Sequence, residues 1–159
     1  MSRTRQMTVL ATFVVLCFGV AALGSLATYP RIDDWYAALA KPSWRPPNWV
    51  FGPVWTALYL AMAVAAWLVW REKGWAGGRV PLALFGVQLA LNAAWSWLFF
   101  ALRSPGLGLV DILLLWIAIA ATLIVFWRRS IIAGLLFVPY LAWVTFAAAL
   151  NYSIWQLNT

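Results

Sequence analysis

The chain has 159 residues, of which 65% are hydrophobic and only 9% charged. Soluble domains carry about 25% charged residues, so a fold that faces water on every side is excluded, and a single-domain integral membrane protein is expected. The net charge of +7 does not point to nucleic acid, because the Lys and Arg lie between apolar runs and form no stripe or tract.

With no His and one Cys, Cys17, this chain cannot assemble a zinc, haem or iron–sulfur site of the usual kind, nor a Ser-His or Cys-His nucleophile pair. Cys17 sits inside an apolar run and reads as a small buried hydrophobe.

Arg3 and Arg5 precede an apolar run over about 7–27. A secretory core is usually about 7–15 residues, and this run is long enough to span a bilayer. It is therefore expected to be a retained first helix. Residues 28–48 form an expected loop. Pro30 closes the first helix, and Asp33 and Asp34 ahead of Lys41-Pro42 mark a separate short helix of two turns. The segment from Asp33 to Tyr59 holds Trp35, Trp44, Trp49 and Trp55 together with Pro42, Pro46, Pro47 and Pro53. The prolines favour an extended backbone, and indole rings suit the membrane interface.

A second span is expected at 49–70, with Pro53 tolerated in its first turn and Arg71-Glu72-Lys73-Gly74 ending it. The third covers 81–102, the fourth 107–127 and the fifth 131–152, with Pro139 as a kink. The expected class is thus an all-α bundle of five transmembrane helices embedded in a lipid bilayer. One side collects Arg3, Arg5, Arg71, Lys73, Arg79, Arg128 and Arg129. The other collects Arg31, Lys41, Arg45 and Arg103. The positive-inside bias places the N-terminus in the cytoplasm and the first loop and C-terminus outside.

Residues four, seven and eleven apart share a helix face. On the third helix Gln88, Asn92, Trp95 and Phe99 align, and the amides should point into the bundle because lipid cannot satisfy them. The opposite face carries Gly86, Ala90 and Ala94, a small-residue stripe that suits either packing within the chain or a homodimer contact. Trp55, Tyr59, Met62 and Ala66 align on the second helix, and Tyr140, Trp143, Ala147 and Asn151 on the fifth. Pointed together, these stripes would line a cavity for a large planar apolar ligand. Ordinary membrane core accounts for the same pattern. Asp111, the one acid within a span, is open to two readings: a cap or partner for Arg103 or Arg45, or a member of a proton relay that no other intramembrane charge supports.

The run W-Y-A-A-L-A-K-P-S-W-R-P-P-N-W-V-F-G-P-V-W-T-A-L-Y resembles the signature of the TspO/MBR family, the tryptophan-rich sensory proteins and mitochondrial translocator proteins. Q-L-A-L-N-A-A-W-S-W, L-V-D-I-L-L and V-P-Y-L-A-W-V-T-F-A-A-A-L-N-Y extend the resemblance over nearly the whole chain. It implies a five-helix bundle, commonly a homodimer, with a cavity beneath the first loop, which acts as a lid. It implies binding of porphyrins such as protoporphyrin IX, haem-related tetrapyrroles and drug-like hydrophobic molecules, with no cofactor required. The positions matching the family's ligand site are Tyr36, Trp55, Tyr59, Asn92, Trp95, Trp143 and Ala147. The cholesterol motif of animal members is incomplete here: Leu150 and Tyr152 are present, but Gln156 stands where the base would be.

The resemblance leaves three functional classes. The first is a receptor, sensor or transporter for tetrapyrroles. The second is a light-dependent porphyrin-degrading enzyme, with bound porphyrin as sensitiser. The third is a scaffold acting through its dimer face. Active transport has the least support, because the chain carries no nucleotide motif or charged relay. The short N-terminus and single-piece bundle suit a bacterial cell membrane.

Overall fold

The computed structural model describes residues 2–159. Its five long helices are α1 (Arg3–Arg31), α2 (Phe51–Gly77), α3 (Arg79–Ser96), α4 (Pro105–Trp127) and α5 (Ile131–Leu157). No strand occurs among the described residues. Each helix, with its flanking turns, is long and apolar enough to cross a bilayer. Helices suit that setting because each pairs its own backbone N–H and C=O groups, which hydrocarbon cannot. The protein is an integral membrane protein of the five-helix class.

Several boundaries differ from those read off the sequence, each for a local reason. Pro30 does not stop α1. It lies inside the helix, which continues through a wide π-type turn over Ile32–Tyr36 and on to Ala38. Proline removes one amide donor, and membrane helices tolerate that loss where the backbone adjusts locally. The expected separate helix after Asp33 is thus the end of α1, and the loop shrinks to 39–47, followed by a 3-10 turn at Asn48–Val50. Helix α2 passes Trp70 and breaks at Gly74, whose φ of 63° and ψ of −165° suit glycine alone. Helix α3 starts at Arg79 and ends in a second π-type turn, Trp97–Ala101. Helix α5 runs five residues beyond the expected Tyr152, with Pro139 inside it.

Side-chain caps begin three of the helices. Ser2 accepts from the Arg5 amide at 3.3 Å, Ser104 from Leu107 at 3.2 Å, and Ser130 from Ala133 at 3.3 Å. Asp111 therefore caps nothing. It is buried at 5% exposure with Oδ2 unpartnered, while Arg45 bonds Asn48 instead.

Helix α4 packs chiefly on α5 and α3, α1 on α2 and α3, and α2 on α5. The hydrophobic effect drives none of this within lipid, so close van der Waals fit and hydrogen bonds between helices must. Ala63, Ala65 and Ala66 are fully buried and let α2 approach its neighbours. Around them Phe85, Phe126 and Phe137 fill the half of the bundle near the α2–α3 turn, with Phe126 and Phe137 5.1 Å apart. A second cluster at the opposite end joins Tyr36, Phe99, Phe100, Leu150 and Ile154.

Candidate functional site

Between the two clusters lies a cavity of about 330 Å³. All seven residues matched to the family's ligand site stand in its wall: Tyr36 from the end of α1, Trp55 and Tyr59 from α2, Asn92 and Trp95 from α3, Trp143 and Ala147 from α5. Among the described residues no charged side chain is part of the wall. The three helical stripes divide by depth. Their members nearer the first loop line the cavity, and Met62, Gln88 and Tyr140 lie outside the lining, fully buried.

Those deeper residues are joined by a polar chain. The Tyr59 hydroxyl donates to Asn92 Oδ1 at 2.5 Å, and Asn92 Nδ2 donates to the Tyr140 hydroxyl at 2.7 Å. Tyr140 donates to Gln88 Oε1 at 2.8 Å, and Gln88 Nε2 reaches Met62 Sδ at 3.8 Å. Both amides do point into the bundle, and each finds the partners that burial demands. On the other side, Trp95 Nε1 donates to Asn151 Oδ1 at 2.9 Å, and Asn151 Nδ2 to the Pro105 carbonyl at 2.8 Å. Trp95 also stacks on Phe99 at 4.9 Å. Trp143 differs: its Nε1 is buried without a partner.

The end of α1 forms the lid-side wall. Tyr36 packs 5.5 Å from Phe100 and is 7% exposed. Lys41 ties this turn together. Its Nζ donates to the carbonyls of Tyr36 at 2.6 Å, Leu39 at 2.7 Å and Ala37 at 3.2 Å, and sits 4.8 Å from the Tyr36 ring centre. Partial burial, and after it the charge of Arg45, lowers the Lys41 pKa from the ordinary lysine value. Asn158, beyond α5, ties down the chain at Ala40. Its Oδ1 accepts from the Ala40 amide at 3.0 Å and its Nδ2 donates to the Ala40 carbonyl at 2.9 Å. The wall reaches the surface at Tyr29 of α1, at Asn48, and at Gly52 and Thr56 of α2, all exposed, so the cavity opens between α1 and the start of α2.

Sequence reading missed the contribution of α1, where Phe18, Ser25 and Thr28 line the cavity, and that of Ile112 and Leu115 on α4. The one available signal was Ser25 and Thr28, two hydroxyls three residues apart on an apolar helix. Both are satisfied locally, by the Ala21 and Gly24 carbonyls. The small-residue stripe stands apart from the cavity. Gly86 and Ala90 are exposed, Ala94 is half-buried, and a Cβ added at Gly86 would meet nothing within 4 Å. Among the described residues no three His, Cys, Asp or Glu come together.

A profile of the TspO/MBR family matches residues 13–156. The tryptophan-rich protein TspO of Chlorobaculum tepidum is 48% identical over 97% of this chain and 98% of its own length. The human translocator protein is 50% identical over 78% of this chain and 75% of its own, and the tryptophan-rich sensory protein of Cereibacter sphaeroides is 40% identical over 92% and 89%. On this match the chain belongs to the TspO/MBR family.

Proposed function

We propose that this protein is a membrane receptor or sensor that takes a large, planar, hydrophobic ligand of the porphyrin class into the cavity between its helices. Family membership supports the receptor or sensor role. The observation that carries the ligand class is the wall itself: indole and phenol rings from α2, α3 and α5 around one space with no charged side chain. Flat aromatic faces match a flat apolar ring system, and an uncharged wall does not penalise it for desolvating an ion. Tyr36, Trp55, Tyr59, Asn92, Trp95, Trp143 and Ala147 are the contact residues of this reading.

The test is a titration of protoporphyrin IX into the purified protein in the dark, followed by tryptophan quenching. The wild type should bind saturably. The double variant Trp55→Ala/Trp143→Ala should lose roughly tenfold or more in affinity, because each ring removed takes contact area with it. Unchanged affinity in the double variant would sink the site. The same titration under light separates simple binding from porphyrin breakdown.

Two further parts of the reading concern the membrane. We place the N-terminus in the cytoplasm, with the first loop and C-terminus outside, on the imbalance of seven cations against four. We also assign Gly86, Ala90 and Ala94 to a homodimer contact, supported by the exposure of Gly86 and Ala90.

A further inference from the structure

The porphyrins of the proposed reading carry carboxylates at one edge of the ring, and the cavity wall has no cation to meet them. An ionised carboxylate carried into that wall would lose its hydration without compensation. The ligand's acidic edge must therefore remain where a cation and water are at hand. Two basic residues, Lys41 and Arg45, are tied to residues of the wall at its lid end, and they differ in what they have left to offer.

Lys41 is committed. An ammonium has three donors, and Lys41 directs its Nζ at the three carbonyls of Tyr36, Ala37 and Leu39. Arg45 is not committed. It is exposed, and it donates from one terminal nitrogen to Asn48 Oδ1 at 3.2 Å. Asn48 is itself part of the cavity wall. A guanidinium has five donors in a planar fork that suits a carboxylate. The Asn48 bond thus holds that fork at the cavity mouth with donors to spare. The backbone supports the placement: the Arg45 amide bonds the Pro42 carbonyl at 3.2 Å, and Pro46 and Pro47 stiffen the chain that follows.

We propose that Arg45, positioned by Asn48, is a carboxylate-recognition residue at the cavity mouth, so that the site selects amphipathic ligands with an apolar planar body and an acidic edge. The inference rests on the porphyrin-class reading above and names the half of the ligand that the wall itself does not explain. The ligand enters body first, the rings of Trp55, Trp95 and Trp143 cover its planar part, and its carboxylate stays at the lid. The same geometry gives Arg45 no role toward an uncharged ligand.

The test compares protoporphyrin IX with its dimethyl ester, which keeps the ring and removes both negative charges. Each is titrated in the dark, in zwitterionic micelles, against wild type, Arg45→Gln and Asn48→Ala. For the free acid, Arg45→Gln should weaken binding roughly tenfold or more, as loss of a charge-assisted hydrogen bond implies. Asn48→Ala should weaken it less, because the cation remains but is no longer oriented. Acid binding to the wild type should also weaken with added salt, since Arg45 is exposed. The ester has no carboxylate for Arg45 to meet and is expected to bind wild type and Arg45→Gln alike, which also reports that this variant is folded; Asn48→Ala, which alters the wall itself, is read by its ratio of acid to ester affinity. If acid and ester bind the wild type equally and Arg45→Gln changes neither, the carboxylate site is wrong and the porphyrin cavity stands. If neither compound binds saturably, the ligand class itself has failed and Arg45 falls with it.

Discussion

Tyr140 and Gln88 are both fully buried, and the Tyr140 hydroxyl donates to Gln88 Oε1 over 2.8 Å. The Tyr140 hydroxyl oxygen in turn accepts from Asn92 Nδ2, so one phenol on α5 satisfies two amides on α3. Tyr140→Phe keeps the ring and leaves Gln88 Oε1 and Asn92 Nδ2 short of a partner. An unmatched buried polar group costs about 1–3 kcal/mol, and hydrogen bonds between membrane helices run nearer the low end. The expected loss is about 1–2 kcal/mol in unfolding measured in detergent. Tyr59→Phe strands only Asn92 Oδ1 and should cost less. If Tyr59→Phe proved the more damaging of the two, the chain would not be organised around Tyr140.

Gly134 lies where α5 meets the end of α4. An added Cβ there would come within 2.6 Å of Trp127 Cε3 and 2.8 Å of Trp127 Cα. A backbone atom cannot rotate away, so the helices must part. Gly134→Ala should destabilise the fold by about 1–3 kcal/mol, the usual cost of overpacking. The melting temperature in detergent reports this, and a melting temperature equal to that of the wild type would contradict the packing described.

Gly86 offers the contrast. Its added Cβ meets nothing within 4 Å among the described residues, so Gly86→Leu should leave the monomer's thermal stability within about 0.5 kcal/mol of the wild type. If α3 forms the dimer contact, the same change should abolish cross-linking between copies in bilayers, because a bulky side chain blocks close helix approach. Undiminished cross-linking would move the contact to another face.

The membrane bundle was legible because its signal is large: five apolar runs, few charges and loops marked by Arg, Pro and Gly. Inward-facing Gln88 and Asn92 were legible for the same reason, since lipid leaves an amide one direction to point. Pro30 misled because the rule that proline ends a helix comes from water-facing segments. At Pro30 the chain keeps its helix and absorbs the defect in the wide turn at Ile32–Tyr36. The α1 part of the wall was hidden because its one signal, Ser25 and Thr28, is weak: both hydroxyls return to their own helix, as a Ser or Thr in any apolar helix can. The tie between Asn158 and Ala40 joins positions 118 residues apart, and no local pattern carries that distance.

Asp111 is buried, and its Oδ2 has no partner. A carboxyl held this way stabilises nothing, so Asp111→Leu, close in volume and apolar, should raise the melting temperature or leave it unchanged. A clear fall in the melting temperature would mean that the carboxyl is satisfied in the membrane by a group such as water or lipid, and Asp111 would then become a candidate for function. Ligand titration of the same variant separates the two roles, since Asp111 is not part of the cavity wall.

Asn158 pairs its amide with both the N–H and the C=O of Ala40, much as a neighbouring strand would, and its Nδ2 also reaches the Ile154 carbonyl at 2.7 Å. These bonds fasten the end of α1, and with it Tyr36, to the far end of α5. Asn158→Ala removes all three at an exposed site where little packing is lost, so the global melting temperature should change by less than about 1 kcal/mol equivalent. Local opening should change more, because fastening of this kind sets how often a segment detaches. Hydrogen exchange read by mass spectrometry should accelerate in the peptide covering residues 37–44 and stay the same in α3 and α4. Thr159→Ala, next in the chain and bonded only to the Gln156 carbonyl, is the control and should leave exchange as it is. Because Tyr36 forms the lid-side wall, faster opening should also speed ligand exchange. In that case protoporphyrin IX dissociation from Asn158→Ala would quicken together with the exchange of residues 37–44, and exchange that quickened alone would show that ligand leaves by the gap between α1 and α2 instead.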